Sequence, residues 1–434
     1  MGWTWRRAWQ RRTVAAVGAL AVALAGCANS VAHTSAGGGA PGVTSTEIDV
    51  GSIADVTGPL SADFGPVVNG VEAYFSMVDA QGGVAGRTVR LAHQTDDQGN
   101  PTTDLTVAQK LVEQAHVFAV VGVGTPFFGG AAYLAEQGTP TFGYVVSSDW
   151  ENKPTLFGTG GSVLAFSTAA AGDSYFAQQL GATSIGVVAY GVPQSAAACQ
   201  AAATGMRAFG LNVSYTDFAF PFGSDPTADV LQMKADHVDL LLTCLDVLGN
   251  VAFAKSISQN GLTMNQLWFN GYDRSTLQQY GPIMGGVHFA LQRVPFEAAQ
   301  AFPGAYPGLE TYLREMQRYQ PAFTYDEVAL DGWISAAQFV AGLRAVGRDL
   351  TQKKLVAAIN AEKAFTGDGL MPPVDWSTAH FSAVPPPPPY CGASVSVVGG
   401  RFVPKVVPGT HQVFVCFGAA STTPVAPRPG TPGT

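Results

Sequence analysis

Charged side chains make up only 12% of this chain of 434 residues, and basic side chains are the rarer kind. Lys and Arg number 23 against 31 Asp and Glu, which gives a formal net charge of -8. This acidic balance argues against nucleic acid as the main partner, because such a partner requires a basic face. Apolar residues reach 47%, so we expect a large packed core spread over two or three domains.

The sequence also lacks the short motifs that mark common catalytic and metal sites. It contains no His-Glu-x-x-His, no Gly-x-Ser-x-Gly and no phosphate loop, and Gly122-Val-Gly124 lacks the third glycine of a dinucleotide fingerprint. The seven histidines have no ligand spacing and no Cys-x-x-Cys occurs, so we predict no metal and no cofactor. The pair Asp96-Asp97 could bind a cation or cap a solvated loop. We therefore predict that the protein is not an enzyme.

The N-terminus has the order of an export signal. Residues 1–12 carry four arginines, and residues 13–24 are apolar but too few to span a bilayer comfortably. Leu24-Ala25-Gly26-Cys27 then resembles a bacterial lipobox. We predict a signal peptide over residues 1–26, a lipid on Cys27 and a flexible linker over residues 27–45, which would anchor the body to the outer face of the cell membrane. The alternative is an ordinary secretory signal with a chance cysteine, and the export route stays open.

Cysteine is rare, with five residues in all. If Cys27 carries a lipid, four remain in an oxidising compartment, and four cysteines allow three pairings. We favour Cys199–Cys244 and Cys391–Cys416, because each pair lies in one local region of the chain. Free buried thiols are the alternative, chiefly for the first pair.

Short apolar runs alternate with segments of helical spacing between residues 48 and 146. Such runs predict strands, and apolar residues at intervals of three and four predict helices. The predicted strands are Ile48–Ile53, Val89–His93, Val117–Val123 and Thr141–Val146, and the predicted helices are Phe64–Ala80, Thr103–Ala115 and Phe128–Glu136. This alternation predicts a parallel sheet with helices on both faces.

A second half of the same kind follows. Its predicted strands are Ser184–Tyr190, Leu211–Phe218, Val238–Thr243, Leu267–Asn270 and Val287–Ala290, and its helices are Ser162–Leu180, Gln194–Phe209, Asp229–Ala235 and Gly249–Gln259. Two α/β halves predict two lobes, and we expect the ligand to bind in the cleft between them. The C-terminal part adds helices over Tyr325–Val346 and Gln352–Ile359 and a hairpin that turns at Gly399-Gly400.

Several motifs, taken in order, resemble the leucine/isoleucine/valine-binding type of ABC transporter substrate-binding protein. They include Thr57-Gly58-Pro59, Asp63-Phe64-Gly65, the turn from Asp79 to Arg87, Asp96-Asp97 before Pro101, and the hairpin Gly399-Gly400-Arg401-Phe402-Val403. The resemblance covers residues from about 46 to 417.

This resemblance implies the two-lobed type I periplasmic-binding fold, an α/β fold in which each lobe is a parallel sheet flanked by helices. It implies a first lobe of residues 46–165 and 295–378, a second lobe of residues 166–294 and 379–417, and a disordered tail over residues 418–434. The implied function is capture of a small molecule, an amino acid or a related amide or carboxylate, for delivery to an ABC permease in the membrane. A ligand-sensing receptor of the same fold is the alternative.

The family's pattern also implies ligand-binding residues. In the first lobe, Thr125, Tyr144 and Ser147 lie in the two segments that would bind a carboxylate, while Phe64 would cover the ligand. The structural alternatives are a helix cap for Thr125, a turn for Ser147 and core packing for Phe64.

The implied ligand-binding residues of the second lobe are Tyr190, Gln194, Asp246, Tyr272 and Asp273. Asp273 would hold an ammonium group, unless it is a plain turn residue. Gln194 replaces a frequent aromatic residue, which favours a larger, amidic or less charged ligand over an aliphatic amino acid.

Overall fold

A computed structural model describes residues 39–433 except residues 165, 325, 385–386 and 420. The predicted signal peptide, Cys27 and the first part of the predicted linker lie outside the described residues. Within the described part, no helix combines the length and the apolar character that crossing a bilayer requires.

The described residues form fourteen strands and thirteen α-helices. The strands are β1 (Glu47–Ala54), β2 (Thr88–Asp96), β3 (Ala119–Gly124), β4 (Thr141–Gly143), β5 (Leu156–Gly158), β6 (Ile185–Tyr190), β7 (Val213–Phe220), β8 (Leu240–Cys244), β9 (Asn265–Trp268), β10 (Val287–Leu291), β11 (Tyr390–Val398), β12 (Arg401–Pro404), β13 (Val415–Phe417) and β14 (Pro424–Val425). The helices are α1 (Ser61–Phe64), α2 (Val67–Ala80), α3 (Pro101–Glu113), α4 (Ala131–Glu136), α5 (Phe166–Gln179), α6 (Pro193–Ala208), α7 (Thr227–Ala235), α8 (Val247–Gln259), α9 (Arg274–Tyr280), α10 (Ala298–Ala301), α11 (Pro307–Tyr319), α12 (Glu327–Val346) and α13 (Gln352–Asn360).

The first sheet contains five strands in the order β2-β1-β3-β4-β5, and all of its pairs are parallel. Helices α2 and α12 pack against each other closely enough to require glycine. A Cβ atom added to Gly70 would lie 1.8 Å from the Ala329 carbonyl oxygen, and one added to Gly332 would lie 1.9 Å from that of Val67. The long helix α12 is therefore fixed to the lobe formed by the first half of the chain.

The second sheet runs in the order β14-β13-β11-β10-β9-β8-β6-β7, with β12 paired to β11. The pairs from β6 to β10 are parallel, as predicted, but β11 is antiparallel to β10, β12 and β13. The C-terminal strands therefore add an antiparallel edge to the predicted parallel sheet of this lobe. Gly399 and Gly400 have φ angles of 58° and 72°, which permit the tight hairpin between β11 and β12.

Two disulfide bonds form in this second lobe, with the pairings favoured from the sequence. Cys199 on α6 is bonded to Cys244 at the end of β8, and Cys391 on β11 is bonded to Cys416 on β13. Residues 418–434, expected to be a disordered tail, contain β14, which pairs with β13. Backbone N–H and C=O groups of β13 therefore supply hydrogen-bond partners to this segment, whose sequence shows no apolar pattern.

The chain passes between the two sheets three times, after β5, after β10 and before β11. The two-lobed α/β architecture predicted from the sequence is confirmed. Connections of this kind between two lobes permit hinge motion.

Candidate functional site

A cavity of about 300 Å³ lies where the carboxyl ends of strands from both sheets meet. Its lining includes Tyr144 after β4 and Pro126 after β3 from the first lobe, and Leu245 after β8 and Phe269 after β9 from the second. Parallel strands leave their following loops at one edge of the sheet, so this is where α/β folds bind ligands. A cavity of this size accommodates a small organic molecule.

A second cavity of about 350 Å³ lies beside the first and is lined largely by the connecting segments and the C-terminal region. It shares Thr159, Asp173 and Arg293 with the cleft. The cleft cavity is the candidate ligand site, because Phe64, Tyr144, Tyr190 and Asp246 line it and do not line the second cavity.

Aromatic rings form much of the cleft wall. Phe64 and Tyr144 contact each other on the first-lobe side, with ring centroids 6.0 Å apart. On the second-lobe side Tyr190 stacks on Phe222, with centroids 3.7 Å apart. Such rings offer an apolar surface and a negative π face to a ligand.

The same cavity is strongly acidic. Five carboxyl groups line it against a single arginine, Arg293, and they are those of Asp63, Asp173, Asp246, Glu327 and Asp331. Arg293 donates to Asp331 from Nε at 2.8 Å and from Nη2 at 2.6 Å, and both side chains are buried. Arg293 therefore makes its side-chain ion pair with one carboxylate, while its charge also lowers the pKa of Glu327. The described residues that line the cavity include no second basic side chain for the other acids.

Burial perturbs these acids. Desolvation raises the pKa of Asp63 to about 7, and the nearby charge of Asp246 adds to the rise. Desolvation alone raises the pKa of Asp173 to about 7, and desolvation together with the charge of Asp331 raises the pKa of Glu327 to about 8. Each shift reflects a negative charge that the surrounding residues stabilise poorly.

Two hydrogen bonds cross the cleft. The Nε2 atom of Gln194 donates to the Pro126 carbonyl oxygen at 3.0 Å, and the Val247 N–H donates to Asp63 Oδ1 at 3.3 Å. Each joins a residue of one lobe to a residue of the other. The structure therefore holds the lobes in contact around the cavity.

Five of the nine residues predicted to bind ligand line this cavity: Phe64, Tyr144, Tyr190, Gln194 and Asp246. Asp246 caps helix α8 by accepting from the Gly249 N–H at 2.7 Å, and it accepts from the Tyr190 hydroxyl at 2.5 Å. These two residues therefore form a preset polar unit at one end of the cleft.

Four predicted residues are directed elsewhere. The Thr125 hydroxyl donates to Asp97, the Ser147 hydroxyl donates to Asp149 at 2.7 Å, and the Tyr272 hydroxyl donates to Glu297. Asp273 caps helix α9 by accepting from the Ser275 and Thr276 N–H groups, both at 2.9 Å. The structure thus does not bring the two hydroxyls expected for a carboxylate, or the acid expected for an ammonium, into the cavity.

Five charged residues of the cavity lining were not predicted as ligand-binding residues from the sequence: Asp63, Asp173, Arg293, Glu327 and Asp331. Asp63 stands beside Phe64 in a motif already singled out, so its position carried a signal. Asp173 carried a stronger signal, because it is the only acid on helix α5. Burying a lone carboxylate costs folding free energy, so such a residue is expected to have a function. Glu327 opens a long, largely buried helix and carried no distinct pattern.

The acidic group of Asp55, Asp96 and Asp97 stands outside the cleft, with one oxygen from each within 4.8 Å of the others. Its carboxylates accept from backbone N–H groups of the adjoining turns, at 2.6 Å from Gly58, 3.0 Å from Val56 and 3.1 Å from Gly99. These contacts agree with the loop-capping interpretation of Asp96-Asp97.

A sequence profile of the periplasmic binding protein family matches residues 47–386. The chain belongs to this family. Members of the periplasmic binding protein family are extracytoplasmic solute-binding proteins, so the cleft cavity is the expected position of the solute. A search of curated protein sequences finds no significant match.

Solved structures of the same fold share few residues with this periplasmic binding protein. A fatty acid ABC transporter substrate-binding protein from Thermomonospora curvata is 17% identical with a TM-score of 0.71, covering 88% of this chain and 95% of its own. A branched-chain amino acid ABC transporter from Thermus thermophilus with bound valine is 18% identical with a TM-score of 0.68, covering 83% and 96%. A solute-binding protein from R. palustris in complex with benzoate is 18% identical with a TM-score of 0.68, covering 86% and 98%. These likenesses establish the fold and leave the ligand open.

Proposed function

We propose that this protein captures a small solute between its two lobes and delivers it to an ABC importer, without converting it chemically. The observation that carries the proposal is the cleft cavity of about 300 Å³, whose walls come from both lobes. Two hydrogen bonds, from Gln194 and to Asp63, join the lobes across it. A ligand that contacts both walls binds the closed arrangement better than an open one and so shifts the population toward closure.

We further propose that the body is held to the outer face of the cell membrane by a lipid on Cys27. The support is the order of a basic start, a short apolar run and Leu24-Ala25-Gly26-Cys27. A Cys27→Ser variant is expected to move the protein from the membrane fraction to the soluble extracytoplasmic fraction. Retention of the variant in the membrane fraction would contradict the lipid anchor.

Mass spectrometry of small molecules released from freshly purified protein tests the solute-binding proposal. We expect one class of solute, recovered unchanged, that raises the melting temperature when returned to refolded protein. Loss of uptake of that solute in a deletion strain would identify import, whereas normal uptake would favour the sensor alternative. A chemically altered solute, or none at all with no thermal shift from any candidate, would contradict the proposal.

A further inference from the structure

We propose that the solute held in the cleft is an organic cation, an amine or quaternary ammonium group on a compact apolar body. This inference rests on the proposed solute-binding function and names the chemical class that the same site would take. It differs from the amino acid, amide or carboxylate expected from the sequence, and it follows from the partners of the lining side chains.

The strongest observation is Asp173 on helix α5. The residue is only 5% exposed and lines the cleft, and its carboxyl group has no hydrogen-bond or ionic partner among the described residues. A buried carboxylate without a partner costs several kcal/mol, so natural proteins pair such groups or use them. Glu327, at the start of helix α12, is a second lining acid whose carboxyl group makes no hydrogen bond or ion pair in the described part of the chain, and the charge of Arg293 offsets its burial only in part.

These two acids belong to opposite lobes. Helix α5 packs on α6 and on β11 of the second sheet, whereas α12 packs on α2 and β3 of the first. Asp63 of the first lobe and Asp246 of the second also face each other, since the charge of Asp246 raises the pKa of Asp63. Closure without a solute therefore brings acidic groups of the two lobes together, which is unfavourable. A cation bound between the lobes attracts both groups and offsets this repulsion.

An anionic solute has no comparable partners. Arg293 is held by Asp331, the Thr125 hydroxyl donates to Asp97 after β2, and the Ser147 hydroxyl donates to Asp149 in its own loop. The aromatic walls also favour a cation, because an ammonium group is attracted to the face of a ring. Tyr144 and Tyr190 line opposite sides of the cavity.

Two matched sets of probes test the charge of the solute by isothermal titration calorimetry on ligand-free full-length protein. One set is benzylamine, benzyl alcohol and benzoate, and the other is isopentylamine, isopentanol and 3-methylbutanoate. Within a set the members share a body and differ in charge. We expect at least one amine to bind about tenfold or more tightly than its neutral and anionic counterparts, since a charge-assisted hydrogen bond is worth about one to two factors of ten.

Variants then assign the effect to the cleft. Glu327→Gln and Asp173→Asn should each weaken amine binding about tenfold while changing alcohol binding little. Glu136→Gln, which alters an exposed acid on helix α4, is the matched control and should leave both unchanged. A cation should also displace protons from the cleft acids, so the heat of amine binding at pH 7 should differ between phosphate and Tris buffers.

Equal or tighter binding of a carboxylate or an alcohol would overturn the inference, as would failure of both amines to bind. The solute recovered from purified protein separates this result from failure of the proposed function. Recovery of an acidic or neutral solute would refute the cation and leave solute binding intact. Equal loss of amine and alcohol binding in both cleft variants would also refute it, because that pattern indicates a structural role.

Discussion

Replacing Asp173 by asparagine should stabilise the ligand-free protein, and the gain should grow with pH. The wild-type residue is 5% exposed, and burial raises the pKa of its carboxyl group from 3.8 to about 7. Between these two values the folded protein keeps a proton that the unfolded chain has lost. Because the folded state then binds more protons, the free energy of unfolding falls as pH rises through this window and levels off above pH 7.

The magnitude follows from the two pKa values. The penalty that Asp173 imposes on the folded state is about 2 kcal/mol at pH 5 and about 4 kcal/mol at pH 8. Asparagine has nearly the same shape and does not titrate, so the cost of burying a polar group largely cancels. We therefore expect the stability gain of Asp173→Asn to widen by about 2–3 kcal/mol between these two pH values.

Urea unfolding followed by circular dichroism, at pH 5 and pH 8, measures this difference on protein freed of solute by unfolding and refolding. The control is Asp349→Asn, whose wild-type side chain is 86% exposed and pairs with Lys354 at the surface. An exposed pair contributes little, so the control should show no comparable widening. A gain for Asp173→Asn that is equal at both pH values, or a loss at pH 8, would refute the assignment of a buried, unpaired carboxyl group.

Three further predictions concern closure and packing. Gln194→Ala removes the hydrogen bond to Pro126 across the cleft and should raise the solute dissociation constant about fivefold, with an unchanged melting temperature of the ligand-free protein. An unchanged affinity in calorimetry would contradict a role of this bond in closure. Gly332→Ala places a Cβ atom 1.9 Å from the Val67 carbonyl oxygen and should lower the free energy of unfolding by about 3 kcal/mol or prevent folding. In the control Gly285→Ala the added Cβ atom has no neighbour within 4 Å. Equal stabilities of the two variants in urea would refute the close packing of α2 and α12. Reducing both disulfides, which close loops with sequence separations of 45 and 25, should destabilise the second lobe by about 3–4 kcal/mol for each bond, and an unchanged unfolding midpoint in reductant would count against this estimate.

The alternation of apolar runs and helical spacing was enough to predict the two-lobed architecture and most of its elements. It failed where elements are short or where stability comes from distant partners. Strand β5 has three residues, and β14 has two, so neither carries a recognisable period. Helix α11 did carry a signal, with buried Leu309, Tyr312 and Met316 at helical intervals, but its many charged residues obscured it.

The site was predicted only in part, because a sequence position indicates a neighbourhood and not the direction of a side chain. Thr125 follows β3, as expected, yet its hydroxyl is taken by Asp97, which arrives from the end of β2. Conversely, Asp63, Asp173 and Glu327 are far apart in sequence, and the fold alone brings them to one cavity. Their shared feature is burial without neutralisation, which a sequence does not display.

Small-angle X-ray scattering, recorded on ligand-free protein before and after addition of the recovered solute, tests the central claim most directly. The claim is that solute binding and lobe closure are one event, with the lobes joined across the cleft by the bonds of Gln194 and Asp63. We predict a smaller radius of gyration in the presence of solute, and a smaller change for Gln194→Ala at equal occupancy. Scattering that stays the same at saturating solute would contradict the coupling of binding to closure.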